Sequence, residues 1–101
     1  IEACACSQFE NHLRAIMGLP LGSPAMIKPH AVMVNLIGAG DGPALPSGYH
    51  EALGVSGAHL HIYGKSRSSK GRKMGHVTAL GDTADEARMA AEKCAALLRF
   101  G

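Results

Sequence analysis

The side chains best suited to chemistry lie in one short basic loop between positions 65 and 73. Its cations are Lys65, Arg67, Lys70, Arg72 and Lys73. Lysine provides a mobile point charge and arginine a planar fork of donors, and together they match a phosphate monoester. Serines and a glycine between them allow the loop to wrap around such a group. The alternative is a solvated hairpin tip, because loops are normally polar and exposed.

The positive charge of the chain is concentrated in this loop. Ten Lys and Arg stand against eight Asp and Glu, which gives a net charge of +2. The rest of the chain is mildly acidic, and this pattern favours a localised anion over a broad nucleic-acid surface. With two Tyr, two Phe and no Trp, the chain also lacks the stacking rings of a single-strand platform. We therefore expect no nucleic-acid partner.

Two further motifs suggest cofactors but have simpler explanations. The glycines at 38–42 lack the Gly-x-Gly-x-x-Gly spacing of a dinucleotide loop and precede Pro43, so they predict turns. Cys4 and Cys6, even with His12, lack the second ligand pair of a metal site and resemble small core residues. The three cysteines of the chain cannot all pair. We expect reduced thiols and a cytoplasmic location.

Histidines and carboxylates also receive structural interpretations. His59 and His61 fall on one strand face and can bind a metal or an anion, but no nearby carboxylate or cysteine completes a ligand set. Surface or interface histidines are the simpler alternative. Asp82, Asp85 and Glu86 lie at a helix start, where capping and the helix dipole explain them. We therefore assign no catalytic residue and no metal ligand.

Two predicted helices frame the chain. Ser7 and Glu10 form a capping box before a helix at 8–17. Thr83 and Glu86 form a second box before a helix at about 84–100. The apolar face of the second helix comprises Ala87, Ala90, Ala91, Cys94, Leu97 and Leu98.

The segments between the helices alternate strands and loops. Three prolines make residues 19–29 an extended connector, and residues 31–37 are apolar enough for a buried strand. A loop at 38–48 precedes one helical turn at 49–53. This order predicts an α+β arrangement with little room for a parallel sheet.

A long-looped hairpin is predicted at residues 58–80. Its first strand, at 58–63, alternates so that Leu60 and Ile62 face one way while the histidines and Tyr63 face the other. Its second strand, at 73–80, returns antiparallel after a polar turn at 65–71.

The ends of the chain and its hydropathy add two expectations. The longest apolar stretches, at 31–34 and 36–37, are far shorter than the roughly 20 residues that span a bilayer, so we expect no membrane segment. The N-terminus has no secretory signal pattern. It also has no initiator Met, which suggests a chain cut from a longer one.

Four segments, in order, resemble one family. Residues 6–22 (CSQFENHLRAIMGLPLG) are similar to the Ser-Gln-Phe-Glu-x-His-x-Arg-Ala-x-x-Gly-Leu-Pro-Leu-Gly segment of the ATPase subunit of phosphoribosylaminoimidazole carboxylase, also called N5-carboxyaminoimidazole ribonucleotide synthetase. Residues 31–38 resemble its next strand. Residues 59–65 and 71–76 resemble its Tyr-Gly-Lys and Gly-Arg-Lys-Met-Gly-His motifs.

The resemblance implies an ATP-grasp enzyme of purine biosynthesis. Such an enzyme uses ATP and Mg to activate bicarbonate and carboxylates 5-aminoimidazole ribonucleotide; in fungi a mutase domain follows. The implied fold is a small β-rich half-barrel of the rudimentary hybrid type at 23–101, preceded at 1–22 by the last helix of the ATP-grasp domain. Lys65, Arg72 and Lys73 are the implied substrate-binding residues, holding the ribonucleotide phosphate.

The chain also departs from the family pattern. Ser69 and Lys70 stand where bacterial members often carry Arg-Pro, so an arginine contact there is not carried over. The family's metal-binding acidic residues, ATP lysines and adenine pocket precede the matched segments. We therefore expect the chain alone to be inactive, its partners to be the missing ATP-grasp domains and a second copy in a homodimer. A stand-alone anion- or RNA-binding module and a purely structural dimerising domain remain alternatives.

Overall fold

The computed structural model describes all residues from 1 to 101. The elements, in chain order, are α1 (Gln8–Ile16), β1 (His30–Ile37), β2 (Gly42–Pro43), α2 (Tyr49–Ala52), β3 (Ala58–Ile62), β4 (Arg67–Ser68), β5 (Lys73–Gly81) and α3 (Ala84–Ala96). The predicted α+β class is confirmed, and the expected β-rich half-barrel is a small open sheet with flanking helices.

Strand β5 is the centre of a three-stranded sheet with the order β1-β5-β3. It pairs antiparallel with β1 on one side, from His30 opposite Gly81 to Ile37 opposite Lys73. On the other side it pairs antiparallel with β3, from Ala58 opposite Ala79 to Ile62 opposite Gly75. The predicted hairpin of β3 and β5 is therefore confirmed.

Helix α3 covers one face of this sheet and closes the core. The fully buried members of the core include Met74, Val77, Ala91, Cys94 and Phe100. Thr83 caps the helix, because its Oγ1 accepts a hydrogen bond from the Glu86 amide at 3.1 Å. The small residues on the buried face let the helix lie close to β5, which contains residues 73–76 of the Gly-Arg-Lys-Met-Gly-His motif.

Two expectations for α3 are wrong at its C-terminal end. The helix ends at Ala96 instead of Phe100, because Arg99 exchanges two backbone hydrogen bonds with Ser47, at 2.9 and 3.2 Å. This pairing lets Phe100 turn into the core, where only 2% of it is exposed. Leu97, expected on the apolar face, is consequently 41% exposed.

Helix α1 stands apart from this core. None of its residues is buried, and Phe9, Leu13 and Ile16 are 56%, 55% and 68% exposed. Its predicted cap is confirmed, because Ser7 Oγ accepts from the Glu10 amide at 3.1 Å. The flanking segments 3–6 and 23–27 pair with each other through three backbone hydrogen bonds, from the amides of residues 5, 6 and 27. The helix therefore presents an uncovered apolar face.

A second small sheet was not predicted. Strand β2 lies within the expected 38–48 loop and β4 within the expected polar turn, and they pair antiparallel with Gly42 opposite Ser68 and Pro43 opposite Arg67. Two-residue strands have no periodicity to detect.

None of the helices is long and apolar enough to cross a membrane.

Candidate phosphate-binding loop

The basic loop connects β3 to β5 and is held at its base by Gly38. The Gly38 amide donates to the Arg72 carbonyl at 2.8 Å, and its own carbonyl accepts from the Gly71 amide at 2.9 Å. Strand β4 ties the middle of the loop to β2. The loop is thus anchored to the end of β1 instead of hanging free, which disfavours the alternative of a mobile hairpin tip.

The three predicted site residues lie at the two ends of this loop, and a side chain-to-backbone hydrogen bond joins the ends. Lys65 Nζ donates to the backbone carbonyl of Lys73 at 2.5 Å, which brings the Lys65 ammonium next to the Lys73 backbone. Arg72 Nη1 donates to the Arg67 carbonyl at 3.2 Å. Arg72 and Lys73 are exposed, and Lys65 is partly buried.

No carboxylate neutralises these cations. The ion pairs of the chain join Arg14 to Glu10, Lys28 to Asp82 and Arg88 to Asp85, and the fourth carboxylate contact is that of Glu2 with the His61 ring. None of them involves a cation of the basic loop. The two hydrogen bonds that the loop cations donate are to backbone carbonyls, which orient a cation without cancelling its charge. The loop therefore presents an uncompensated positive surface, as an anion site requires.

Ser68 lies beneath the loop and was not singled out from the sequence. It is 1% exposed, and its Oγ has no hydrogen-bond partner. A serine within a polar, charged segment carries no sequence signal of burial. It is buried because β4 turns it towards Gly38, which has no side chain in the way.

A polar cluster on the sheet face opposite α3 was also missed as a unit. It is called the outer-face cluster here and consists of Glu2, His61, His76 and Tyr63. Glu2 Oε1 lies 2.5 Å from His61 Nε2, the His61 and His76 rings stack with centroids 4.4 Å apart, and the Tyr63 hydroxyl lies 2.9 Å from His76 Nδ1. The sequence placed His61 and Tyr63 on one strand face, but neither Glu2 nor His76 was expected beside them.

Burial sets the charge state of this cluster. His76 is 8% exposed, and burial together with the neighbouring His61 lowers its pKa. Burial alone raises the pKa of Glu2, but the hydrogen bond with His61, a backbone hydrogen bond and the nearby histidines together outweigh burial, and the net pKa is lowered. The second oxygen of Glu2, Oε2, is buried without a partner. Glu2 is thus a carboxylate and His76 a neutral imidazole near pH 7.

The remaining sequence candidates do not form sites. Cys4 and Cys6 are free thiols, and Cys6 Sγ donates to Glu10 Oε2 at 2.9 Å, which raises the pKa of the Cys6 thiol. His61 is engaged by Glu2, whereas His59 is exposed. No group of three His, Cys, Asp or Glu side chains lies close enough to hold a metal ion. The glycines at 38–42 enter β2 and, as expected, do not precede a helix.

An open groove of about 540 Å³ lies on the other side of the molecule's core, along α3. Its lining is Val55, Ser56, Met89, Ala90, Glu92 and Lys93. It contains none of the basic-loop cations, and one acidic and one basic side chain at its rim do not select a ligand charge. The basic loop therefore remains the strongest candidate site.

The sequence of this chain matches one protein family and several of its members. The family model described as the phosphoribosylaminoimidazole carboxylase C-terminal domain matches residues 31–90. A Schizosaccharomyces pombe phosphoribosylaminoimidazole carboxylase is 48% identical over 90 residues, which are 85% of this chain and 16% of that protein. A Synechococcus elongatus N5-carboxyaminoimidazole ribonucleotide synthase is 50% identical over 82 residues, which are 77% of this chain and 20% of that protein.

Solved structures agree with the sequence relatives. N5-carboxyaminoimidazole ribonucleotide synthetase from Thermotoga maritima superposes with a TM-score of 0.84 and 45% identity, over 97% of this chain and 28% of that one. The Aspergillus clavatus N5-carboxyaminoimidazole synthase, solved with ADP and 5-aminoimidazole ribonucleotide, gives 0.74 and 36%, over 92% and 25%.

This chain spans only about a sixth to a fifth of the length of those curated relatives. The relatives are enzymes, which does not favour a stand-alone RNA- or anion-binding module. The matched residues include β1 from its second residue, the basic loop and β5, so the loop geometry described above lies within the family's own domain. The chain belongs to the phosphoribosylaminoimidazole carboxylase C-terminal domain family.

Proposed function

We propose that this chain is the part of an ATP-dependent carboxylase of purine biosynthesis that holds the phosphate of 5-aminoimidazole ribonucleotide. The observation that carries the proposal is the anchored basic loop, whose cations contact backbone carbonyls and form no salt bridge with a carboxylate. A relative with 36% identity was solved with 5-aminoimidazole ribonucleotide and ADP, which supports this substrate.

The chain's own residues bind and orient the substrate in this proposal. An ammonium has three donors, and Lys65 gives one of them to the Lys73 carbonyl, so further donors remain for a phosphate oxygen. Arg72 offers the planar fork that matches two phosphate oxygens. Because Gly38 fixes the Arg72 backbone, the guanidinium is presented from a rigid base.

The remaining steps belong to the parts of the longer protein outside this chain. ATP supplies the phosphoryl group that activates bicarbonate, and one relative was solved with ATP. These residues offer no metal-ligand group, so we assign Mg and ATP to the preceding ATP-grasp domains. Residues 1–22 are proposed as the last segment of that domain, and residues 23–101 as the C-terminal domain. A cytoplasmic homodimer completes the proposal.

Alanine substitutions in the full-length protein test the phosphate-holding role. A charge-assisted contact to phosphate contributes about 1.5–3 kcal/mol, so Arg72→Ala or Lys73→Ala should raise the KM for the ribonucleotide roughly tenfold or more. The KM for ATP should change far less. Arg72→Lys keeps the charge but loses the fork, so an intermediate KM is expected.

Lys70→Ala is the matched control, because Lys70 is an exposed cation of the same loop outside the proposed set. It removes the same net charge and should leave the KM for the ribonucleotide nearly unchanged. Equal effects of Arg72→Ala on both substrates, or a Lys70→Ala effect as large as that of Arg72→Ala, would contradict the phosphate-holding role.

A further inference from the structure

The outer-face cluster runs directly into the basic loop. Tyr63 is its last member and lies two residues before Lys65, whose Nζ is 5.8 Å from the centroid of the Tyr63 ring. A cation within about 6 Å of a ring centroid is attracted by the negative face of the ring. Polar and aromatic contacts thus continue from the buried His76 to a cation of the candidate site.

Packing alone does not fix the Tyr63 ring. Tyr63 is 47% exposed, and its backbone is tied to β5 by the hydrogen bond from its amide to the Met74 carbonyl at 3.0 Å. This leaves the side-chain torsions free unless the hydroxyl is held. The only side-chain hydrogen bond that holds it is the one to His76 Nδ1.

We propose that His76 is a positioning residue for the phosphate site, because its hydrogen bond to the Tyr63 hydroxyl fixes the ring on which the Lys65 ammonium rests. This inference depends on the proposed role of Lys65 in holding the phosphate. His76 itself is buried and stacked on His61, so it acts through Tyr63 and not by touching the ligand.

The chemistry of the ring nitrogens fits this arrangement. The lowered pKa of His76 keeps the imidazole neutral near pH 7. A neutral imidazole has one nitrogen that accepts and one that donates. With Nδ1 accepting from the Tyr63 hydroxyl, the proton lies on Nε2. Protonation of Nδ1 would remove the acceptor and release the ring.

The stacked His61 holds His76 from the other side. Its own Nε2 is bound to Glu2, which arrives from the segment preceding α1. The His76 ring is therefore held on one face by the His61 ring, while its Nδ1 meets the Tyr63 hydroxyl. A long lysine side chain otherwise loses considerable rotamer freedom when it binds a ligand, and holding it against a fixed ring reduces that loss.

The test uses the full-length protein and four single variants. His76→Leu removes the acceptor of the Tyr63–His76 hydrogen bond, and Tyr63→Phe removes its donor. The phenylalanine keeps the ring, and because position 63 is half exposed this change should not impair folding. Each should raise the KM for the ribonucleotide by about two- to fivefold, the size expected for an exposed cation–π contact, with kcat and the KM for ATP unchanged. His76→Asn, whose Oδ1 takes about the place of Nδ1, should restore the wild-type KM. His59→Leu, on the exposed neighbour of the same strand, is the control and should have no effect.

A Lys65→Ala background separates positioning from a general structural role. If His76 acts through Lys65, His76→Leu should raise the KM no further once Lys65 is absent. An equal loss in both backgrounds would overturn the inference, as would unchanged KM values for His76→Leu and Tyr63→Phe when Lys65→Ala raises the KM. If Lys65→Ala itself has no effect, the proposed role of Lys65 fails instead, and the inference falls with it.

The ring state can be measured without activity. In the 101-residue chain, nitrogen NMR at pH 7 should find the His76 proton on Nε2, and Tyr63→Phe should shift the Nδ1 resonance. A proton on Nδ1, or an Nδ1 resonance indifferent to Tyr63→Phe, would overturn the inference whatever the kinetics show.

Discussion

Replacement of Gly38 by alanine should loosen the base of the basic loop. A methyl group at Gly38 would stand 2.6 Å from Ser68 Oγ and would overlap the Ser69 carbonyl oxygen. The Ser69 oxygen is backbone, which cannot rotate away as the end of a flexible side chain can. The loop from 69 to 72 must therefore move, and it carries both hydrogen bonds that Gly38 makes, to Gly71 and Arg72.

The expected loss of stability follows from these contacts. Overpacking of a close contact costs about 1–3 kcal/mol, and each of the two backbone hydrogen bonds contributes about 1 kcal/mol net. Partial relaxation of the loop reduces both the overpacking cost and the hydrogen-bond loss. We therefore expect the free energy of unfolding to fall by about 2–4 kcal/mol, a large part of the roughly 5–15 kcal/mol typical of a whole domain. For a chain of this size, such a loss lowers the Tm by at least ~8 °C.

Thermal and urea unfolding of Gly38→Ala, with Gly40→Ala beside it, provide the assay. Gly40 lies two residues after Gly38, outside the basic loop, and a methyl group there meets no atom within 4 Å. Its substitution should therefore change the free energy of unfolding by less than about 1 kcal/mol. In the full-length protein, Gly38→Ala should also raise the KM for the ribonucleotide, because Arg72 is displaced. Equal Tm values for the two variants would refute the reasoning that Gly38 fixes the loop.

Two other outcomes follow from the same structure. Because the pKa of His76 is lowered in the folded chain, the unfolded chain takes up a proton there at higher pH than the folded chain does. The contribution of His76 to the free energy of unfolding is therefore complete above the ordinary histidine pKa of 6.5 and is lost as pH falls below it. Urea unfolding should show that the free energy of unfolding falls more steeply below pH 6.5 in wild type than in His76→Asn. The uncovered face of α1 should make the isolated chain self-associate; light scattering across a concentration series should show dimers that Leu13→Glu abolishes, and a monomer at every concentration would contradict this expectation.

The larger elements could be predicted because each has a local signal. The capping boxes that begin at Ser7 and Thr83 predict the two long helices, and both caps are present in the structure. The alternation from 58 to 63 predicts β3, and its pairing with β5 follows from one long connection. Periodicity and capping are properties of neighbouring residues, so a sequence displays them directly.

The missed features depend on contacts between distant segments. Arg99 leaves α3 because it pairs with Ser47, although helical periodicity continues through it. Glu2 joins the outer-face cluster from a separate segment, 59 residues from His61. Ser68 is buried because a glycine thirty positions earlier leaves room for it. No local pattern reports any of these, since long-range packing overrides local preference.

The six-residue motif at 71–76 shows how the fold and the candidate site share one stretch of chain. Arg72 and Lys73 are exposed where the loop meets β5, whereas Met74 is fully buried in the core. A side chain at Gly75 would collide with the His61 carbonyl of the neighbouring strand. The cations are thus presented at the start of the central strand, and the residues that follow them fix this strand in the sheet.

The last residue of this motif, His76, lies on the sheet face opposite α3 and contacts Tyr63, whose ring is close to Lys65. Its register partner in β3 is His61, and the strand connection places Tyr63 within hydrogen-bond distance of its Nδ1. The Gly-Arg-Lys-Met-Gly-His and Tyr-Gly-Lys motifs are therefore adjacent in space because β3 and β5 pair. Shifting that pairing by one residue would turn His76 and Tyr63 away from each other. The antiparallel register, and not the loop sequence alone, sets where Lys65 presents its charge.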